Sequence, residues 1–146
     1  MNAHYDKYLT KRYPRLYKMR HANMQETCMC WGFDCGDGWF SIINALSFAL
    51  ENLCDYYNID ITVAQVKEKY GTLRFYWSGE FPENNKRTDW KRGYKLADEL
   101  VDLAEISTYH TCEICGRWAS KQTKGWIITL CDKHYLEELK RRRAYK

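Results

Sequence analysis

Between Trp39 and Tyr57 the chain is apolar around almost the whole of a helical wheel, and the rest of the sequence must fold around that stretch. Trp39, Ile42, Ile43, Leu46, Leu50, Leu53 and Tyr57 recur at the i, i+3/i+4, i+7 spacing of one helical face. Phe40, Ala45, Phe48, Ala49 and Cys54 widen the stripe, leaving little polar surface before Glu51, Asn52 and Asp55. A helix apolar most of the way round is a buried one. The pattern therefore predicts a central helix over 38–57 with other elements packed on at least two of its sides. Asp37 stands where its carboxylate would cap the free N–H groups of the first turn. The stretch is too short, and too interrupted by Ser, Asn and Glu, to span a membrane.

The flanks supply those packing elements. Ile59, Ile61 and Val63 alternate, and the apolar parity then shifts to Ala64 and Val66, the mark of a bulge. Tyr70-Gly71 supplies a turn, and Leu73, Phe75 and Trp77 alternate with Arg74, Tyr76 and Ser78. Residues 60–78 are thus expected to form a β-hairpin whose apolar face lies on the central helix. A polar loop over 79–88 leads to a second, amphipathic helix near 89–106, striped by Trp90, Tyr94, Ala97, Val101 and Ala104. Before the central helix, residues 3–20 read as one or two short helices. Tyr5, Tyr8 and Leu9 share one face; Pro14 opens a second segment with Leu16, Tyr17 and Met19.

Composition restricts the function classes. With 45% hydrophobic and 16% aromatic residues and only two prolines, the 146-residue chain is globular, not disordered. Residues 1–20 are polar and basic with no apolar signal region, so the expected location is cytoplasmic and no membrane partner is expected. Seven cysteines in such a setting read as metal ligands and buried thiols, and the odd number agrees. Residues 1–20 hold six Lys/Arg against Asp6, and residues 132–146 hold six against three acids. Basic ends of this kind hint at a polyanionic partner. The final run of Lys140, Arg141, Arg142, Arg143 and Lys146 is expected to act as a helix end favourable to the carbonyl pole of the dipole, dispensable for stability.

The strongest chemistry lies in the last forty residues. Cys112-x2-Cys115 is followed after fifteen residues by Cys131-x2-His134. Two such pairs bring together the three thiolates and one imidazole that four-coordinate zinc takes. Gly116 allows the tight turn behind the metal. With all four positions filled by protein, one structural zinc ion is expected, not a catalytic one. Arg117–Ser120 and Trp126–Leu130 are strand-like around Lys124-Gly125, and a helix follows Cys131. Knuckle, hairpin and helix start in this order resemble the treble-clef zinc finger over residues 110–146. The expected organisation is an α+β body, 1–109, with a C-terminal treble-clef zinc module, 110–146, packed on it.

Treble clefs also scaffold His-metal nucleases, which need a His and often an Asn beside a second metal. The hairpin Arg117–Leu130 contains no His, Asn, Asp or Glu, and His134 is taken by zinc. At most a nuclease relic is expected, and an enzyme is the least favoured class. Cys28, Cys30 and Cys35 form a second thiol-rich group that either holds another metal or, as free Cys more often does, packs as small hydrophobes. Lys67, Lys69, Arg74 and Tyr76 share the outer hairpin face, a grouping of cations with an aromatic suited to phosphate and base, or simply a solvated sheet face. The Cys-Gly-Asp-Gly-Trp entry to the helix, the Val-Lys-Glu-Lys-Tyr-Gly-Thr-Leu-Arg-Phe-Tyr hairpin and the terminal Cys/His pairs resemble a group of small uncharacterised proteins of bacteriophages and bacteria. That resemblance implies an intracellular protein of phage or bacterial origin, in the host cytoplasm if phage-encoded. A non-enzymatic binding protein for nucleic acid or a nucleotide is the expected function. The alternative is a phage inhibitor of a host defence protein, acting by protein contact or as a sponge for a signal nucleotide.

Overall fold

A computed structural model of the chain describes residues 1–80 and 89–144. The expected loop over 79–88 therefore falls mostly outside the described residues, as does Lys146. The architecture is α+β. Helix α1 (Ala3–Arg12) leads through turns to strand β1 (Phe33–Asp34), and the central helix α2 (Phe40–Tyr57) follows. Strands β2 (Asp60–Lys69) and β3 (Thr72–Glu80) form the hairpin, and α3 (Trp90–Ser107) returns across it. A two-stranded ribbon, β4 (Lys121–Gln122) and β5 (Thr129–Leu130), precedes α4 (Asp132–Ala144).

β1, β2 and β3 form one sheet in that order. β1 runs parallel to β2, with Phe33 opposite Val66, so α2 is the crossover between them. The β2–β3 register shifts between Val63 and Gln65, leaving Ala64 as the extra residue of the expected bulge. The Ala64 carbonyl accepts instead from the Thr27 hydroxyl at 3.1 Å. On the outer edge of β3, Glu105 accepts from the Phe75 N–H at 2.8 Å and Thr108 Oγ1 from the Leu73 N–H at 3.0 Å. These contacts satisfy donors that an open sheet edge would present to other strands.

The core stripe of α2 is Trp39, Ile43, Leu46, Leu50, Cys54 and Tyr57, packed on Ile61, Val63, Val66, Leu73 and Phe75 of the sheet and on Ala97, Val101 and Ala104 of α3. From the other side Leu9, Tyr13, Leu16 and Tyr17 close over it. Tyr17 bonds Ser47 at 2.6 Å, and Arg15 reaches Glu51 and Asp55. The helix is not enclosed all round, however. Phe48 is 55% and Tyr56 65% exposed, and with Leu53 and Leu100 they line an open apolar groove. Elements thus pack on at least two of its sides, as expected, while the side carrying Phe48 and Tyr56 stays open.

Two further expectations change. Asp37 does not cap α2. Its carboxylate accepts from the Asn2 N–H and side-chain amide, each at 2.7 Å, and the helix begins without a side-chain cap. The segment after Pro14 is a run of turns and one 3-10 turn, not a second α-helix. Its cations are largely engaged: Arg15 as above, Lys18 with Asp60 at 2.7 Å, and Arg20 with Asp6 at 3.0 Å. The basic N-terminal face thus serves in good part to tie the chain to α2 and the sheet.

Candidate metal centre and hairpin face

Backbone N–H groups at Ile114 and Cys115 turn towards the Cys112 thiol, and the Cys112 carbonyl accepts from the Gly116 N–H at 2.8 Å. This is a closed knuckle, with Gly116 in the left-handed region at φ +74°. Cys131 and His134 stand at the start of α4. The backbone N–H of His134, first among several donors there, draws the Cys131 thiol below its usual range.

The four ligand atoms lie within 4.8 Å of one another. Cys115 and Cys131 sulfurs are 3.8 Å apart, and His134 Nδ1 is 3.3 Å from both Cys112 and Cys131 sulfurs. A tetrahedron built on ordinary zinc–sulfur and zinc–nitrogen bonds requires about 3.8 Å between sulfurs and about 3.5 Å from sulfur to nitrogen. The residues therefore fit one zinc ion, held through Nδ1, with Nε2 on the far side of the ring 3.9 Å from Glu137. Three thiolates and one imidazole complete the coordination, so the ion would stabilise the fold and leave no open position for chemistry.

The knuckle is joined to the body by the Gly36–Trp39 loop. The Gly38 N–H donates to the Glu113 carbonyl at 2.8 Å, the Gly36 N–H to the Glu113 carboxylate at 3.0 Å, and the Trp39 indole to the Thr111 carbonyl at 3.0 Å. Burial pushes the Glu113 carboxyl up, against the pull of the Gly36 donor. A second junction forms at the hairpin tip, where the Thr129 hydroxyl donates to the Gly71 carbonyl at 2.6 Å. Nothing in the sequence marked Glu113 or Thr129; each acts on a partner far along the chain.

The basic end of α4 departs from expectation at Arg142. Its guanidinium donates to Glu138 at 2.7 Å, to the Lys124 carbonyl at 2.7 Å and to the Trp126 carbonyl at 2.8 Å. It clamps the ribbon turn to the helix and is not merely a cation at a helix end. Arg141 beside it, then Arg142, holds the Glu138 carboxyl down at about 2.

Cys28, Cys30 and Cys35 are not gathered into a ligand cluster. Cys28 is exposed, the Cys30 thiol donates to the Thr27 carbonyl at 3.1 Å, and Cys35 is buried in the body core. Among the described residues Cys112, Cys115, Cys131 and His134 alone form a group of three or more such ligands. Burial pushes the Cys35 thiol up to about 12, which makes it an inert packing group.

On the hairpin, Lys67 lies directly opposite Arg74, and Tyr76 opposite Gln65, so the four expected residues do share one face. They differ in availability. Arg74 lies 3.5 Å from Glu105 and donates to the Thr72 hydroxyl at 2.7 Å. Lys67 and Lys69 instead rest over the rings of Tyr76 and Tyr70, each at 5.4 Å. Among the described residues no helix is long and apolar enough to cross a membrane. No family model matches the chain, nor does any curated protein or solved structure, so the likeness to phage and bacterial proteins gains no support from these comparisons.

Proposed function

We propose that this chain is a zinc-stabilised nucleic-acid-binding protein whose hairpin face carries the contact, with a treble-clef module as its rigid support. The observation that carries this reading is the pairing of Lys67 and Lys69 with aromatic rings instead of carboxylates. A cation on a rigid strand beside an exposed ring offers a phosphate contact and a stacking surface together. Arg74, drawn to Glu105, plays a smaller part than its place on the face suggests. A free nucleotide would use the same groups, and comparing oligonucleotides with mononucleotides separates the two.

The test is binding of labelled DNA and RNA strands across a salt series, for the wild type and Lys67→Ala/Lys69→Ala. Loss of two phosphate contacts lowers the slope of log affinity against log salt by about 1.4 for a single strand. An unchanged slope in the folded double variant would refute the assignment. A second reading, inhibition of a host defence protein, is favoured by the open apolar groove of Phe48, Leu53, Tyr56 and Leu100. It requires that Phe48→Ser abolish a protein contact and leave nucleic-acid binding intact.

A further inference from the structure

We infer that the cleft between the hairpin tip and the zinc module, walled by Tyr70 and Trp126, takes an unpaired nucleobase, so that the preferred ligand is single-stranded. This rests on the nucleic-acid reading above and adds to it a site and a strand preference.

The cleft is lined by Glu68, Lys69, Tyr70, Gly125, Trp126 and Ile127, with a volume of about 210 Å³. Its two aromatic residues are among the most exposed of the chain, Tyr70 at 68% and Trp126 at 73%. Neither position is explained by packing. Tyr70 has φ +55° and Gly71 φ +77° in a two-residue hairpin turn, a conformation that favours Asn-Gly. A bulky aromatic residue in the left-handed region is uncommon and strained, and its ring gains little burial in return.

Trp126 is held at the backbone while its ring stays open. Its carbonyl accepts from the Thr123 hydroxyl at 2.6 Å and from Arg142 at 2.8 Å. The opposite wall is fixed by the Thr129 bond to Gly71. Beside the rings a built Cβ at Gly125 would meet nothing within 4 Å, so a ligand has room to approach the backbone there. Lys69 supplies charge for a phosphate. Glu68, whose Oε1 already accepts from the Gly71 N–H at 2.6 Å, presents a carboxylate able to accept from an exocyclic base amine. Lys67 over Tyr76, Lys69 over Tyr70, and Trp126 across the cleft from Tyr70 supply cations and rings together, the means by which strands are bound through backbone charge and stacked bases. A duplex keeps its bases stacked on each other and cannot use the cleft.

The test uses the zinc-loaded full chain and a fluorescent dT oligomer of about a dozen nucleotides, within the usual span of single-strand sites. Trp126→Ala and Tyr70→Asn should each weaken binding about tenfold, the effect of one stacked base, without changing the salt slope. An abasic strand of the same length should bind the wild type no more tightly than the dT oligomer binds Trp126→Ala. Asn relieves the turn strain, so Tyr70→Asn should melt no lower than the wild type. Wild-type affinity in both ring variants, with the slope still lost in Lys67→Ala/Lys69→Ala, would overturn the cleft while leaving the hairpin reading standing. Equal affinity for duplex and single strand would overturn it as well. Failure of the wild type to bind any nucleic acid would remove both.

Discussion

Replacing Gly38 with alanine drives a methyl group into the backbone of the zinc knuckle. A Cβ at this position would stand 2.5 Å from the Gly116 nitrogen and 2.8 Å from that of Cys115, and closer still to the Cys112 carbonyl oxygen. Non-bonded heavy atoms settle at about 3.5–4 Å, so the loop and the knuckle must part by about 1 Å. That movement stretches the three bonds joining them, from Gly38 to Glu113, from Gly36 to Glu113 and from Trp39 to Thr111, beyond hydrogen-bond range. At about 1 kcal/mol net for each bond, Gly38→Ala destabilises by about 3 kcal/mol. For a chain of this size the melting temperature falls by about 6–12 °C. Calorimetry of the zinc-loaded protein reads the shift, and Gly125→Ala serves as control. Gly125, unlike Gly38, lies in the left-handed region, and a Cβ there meets no neighbour within 4 Å, so only backbone strain of about 1 kcal/mol is added. A Gly38 variant melting within about 2 °C of the control's small shift, with its zinc retained, would refute the idea that this loop clasps the knuckle.

Elemental analysis should find one zinc per chain, and Cys115→Ser should abolish cooperative folding of the C-terminal third; a stoichiometry near zero or near two would contradict a single structural site. Arg142→Ala should lower stability by about 2 kcal/mol, because bonds from a charged donor are among the stronger ones, whereas Arg143→Ala leaves the melting temperature unchanged; equal melting of the two would mean the clamp on Lys124 and Trp126 is idle. The Glu138 carboxyl, held down at about 2 by Arg141 and Arg142, stabilises the fold above the unfolded carboxyl range and loses that contribution as pH falls below about 4.3. The stability difference between wild type and Glu138→Gln, followed by denaturant unfolding, should therefore shrink from about pH 5 to about pH 3; a constant difference would contradict the ion pairing.

Features set by neighbours in sequence were legible before the fold was known. The 3.6-residue spacing of Trp39, Ile43, Leu46, Leu50 and Tyr57 located α2, and the change of parity at Ala64 located the bulge. The ligand quartet was readable because both pairs are short local motifs. Features decided by distant partners were not. Asp37 looked like a cap until Asn2 claimed it, and Arg74 looked available until Glu105 came beside it. Phe48 and Tyr56 carry the same apolar signature as the buried stripe, yet no element covers them and they stand exposed. β1, two residues long, is too short to show any period.

The junction between the Gly36–Trp39 loop and the knuckle also orders events as the chain is made. Gly36 precedes Glu113 by 77 residues. At a synthesis rate of about 5–20 residues per second, the entrance to α2 waits about 4–15 s for its acceptors to leave the ribosome. Throughout that interval the Gly36 and Gly38 amides and the Trp39 indole are hydrated, although the apolar stripe behind them is already complete. Structural zinc sites generally form together with their ion, so release of the finished chain would not by itself end the wait. Zinc supply would then bear on when the Gly36–Trp39 loop meets the knuckle.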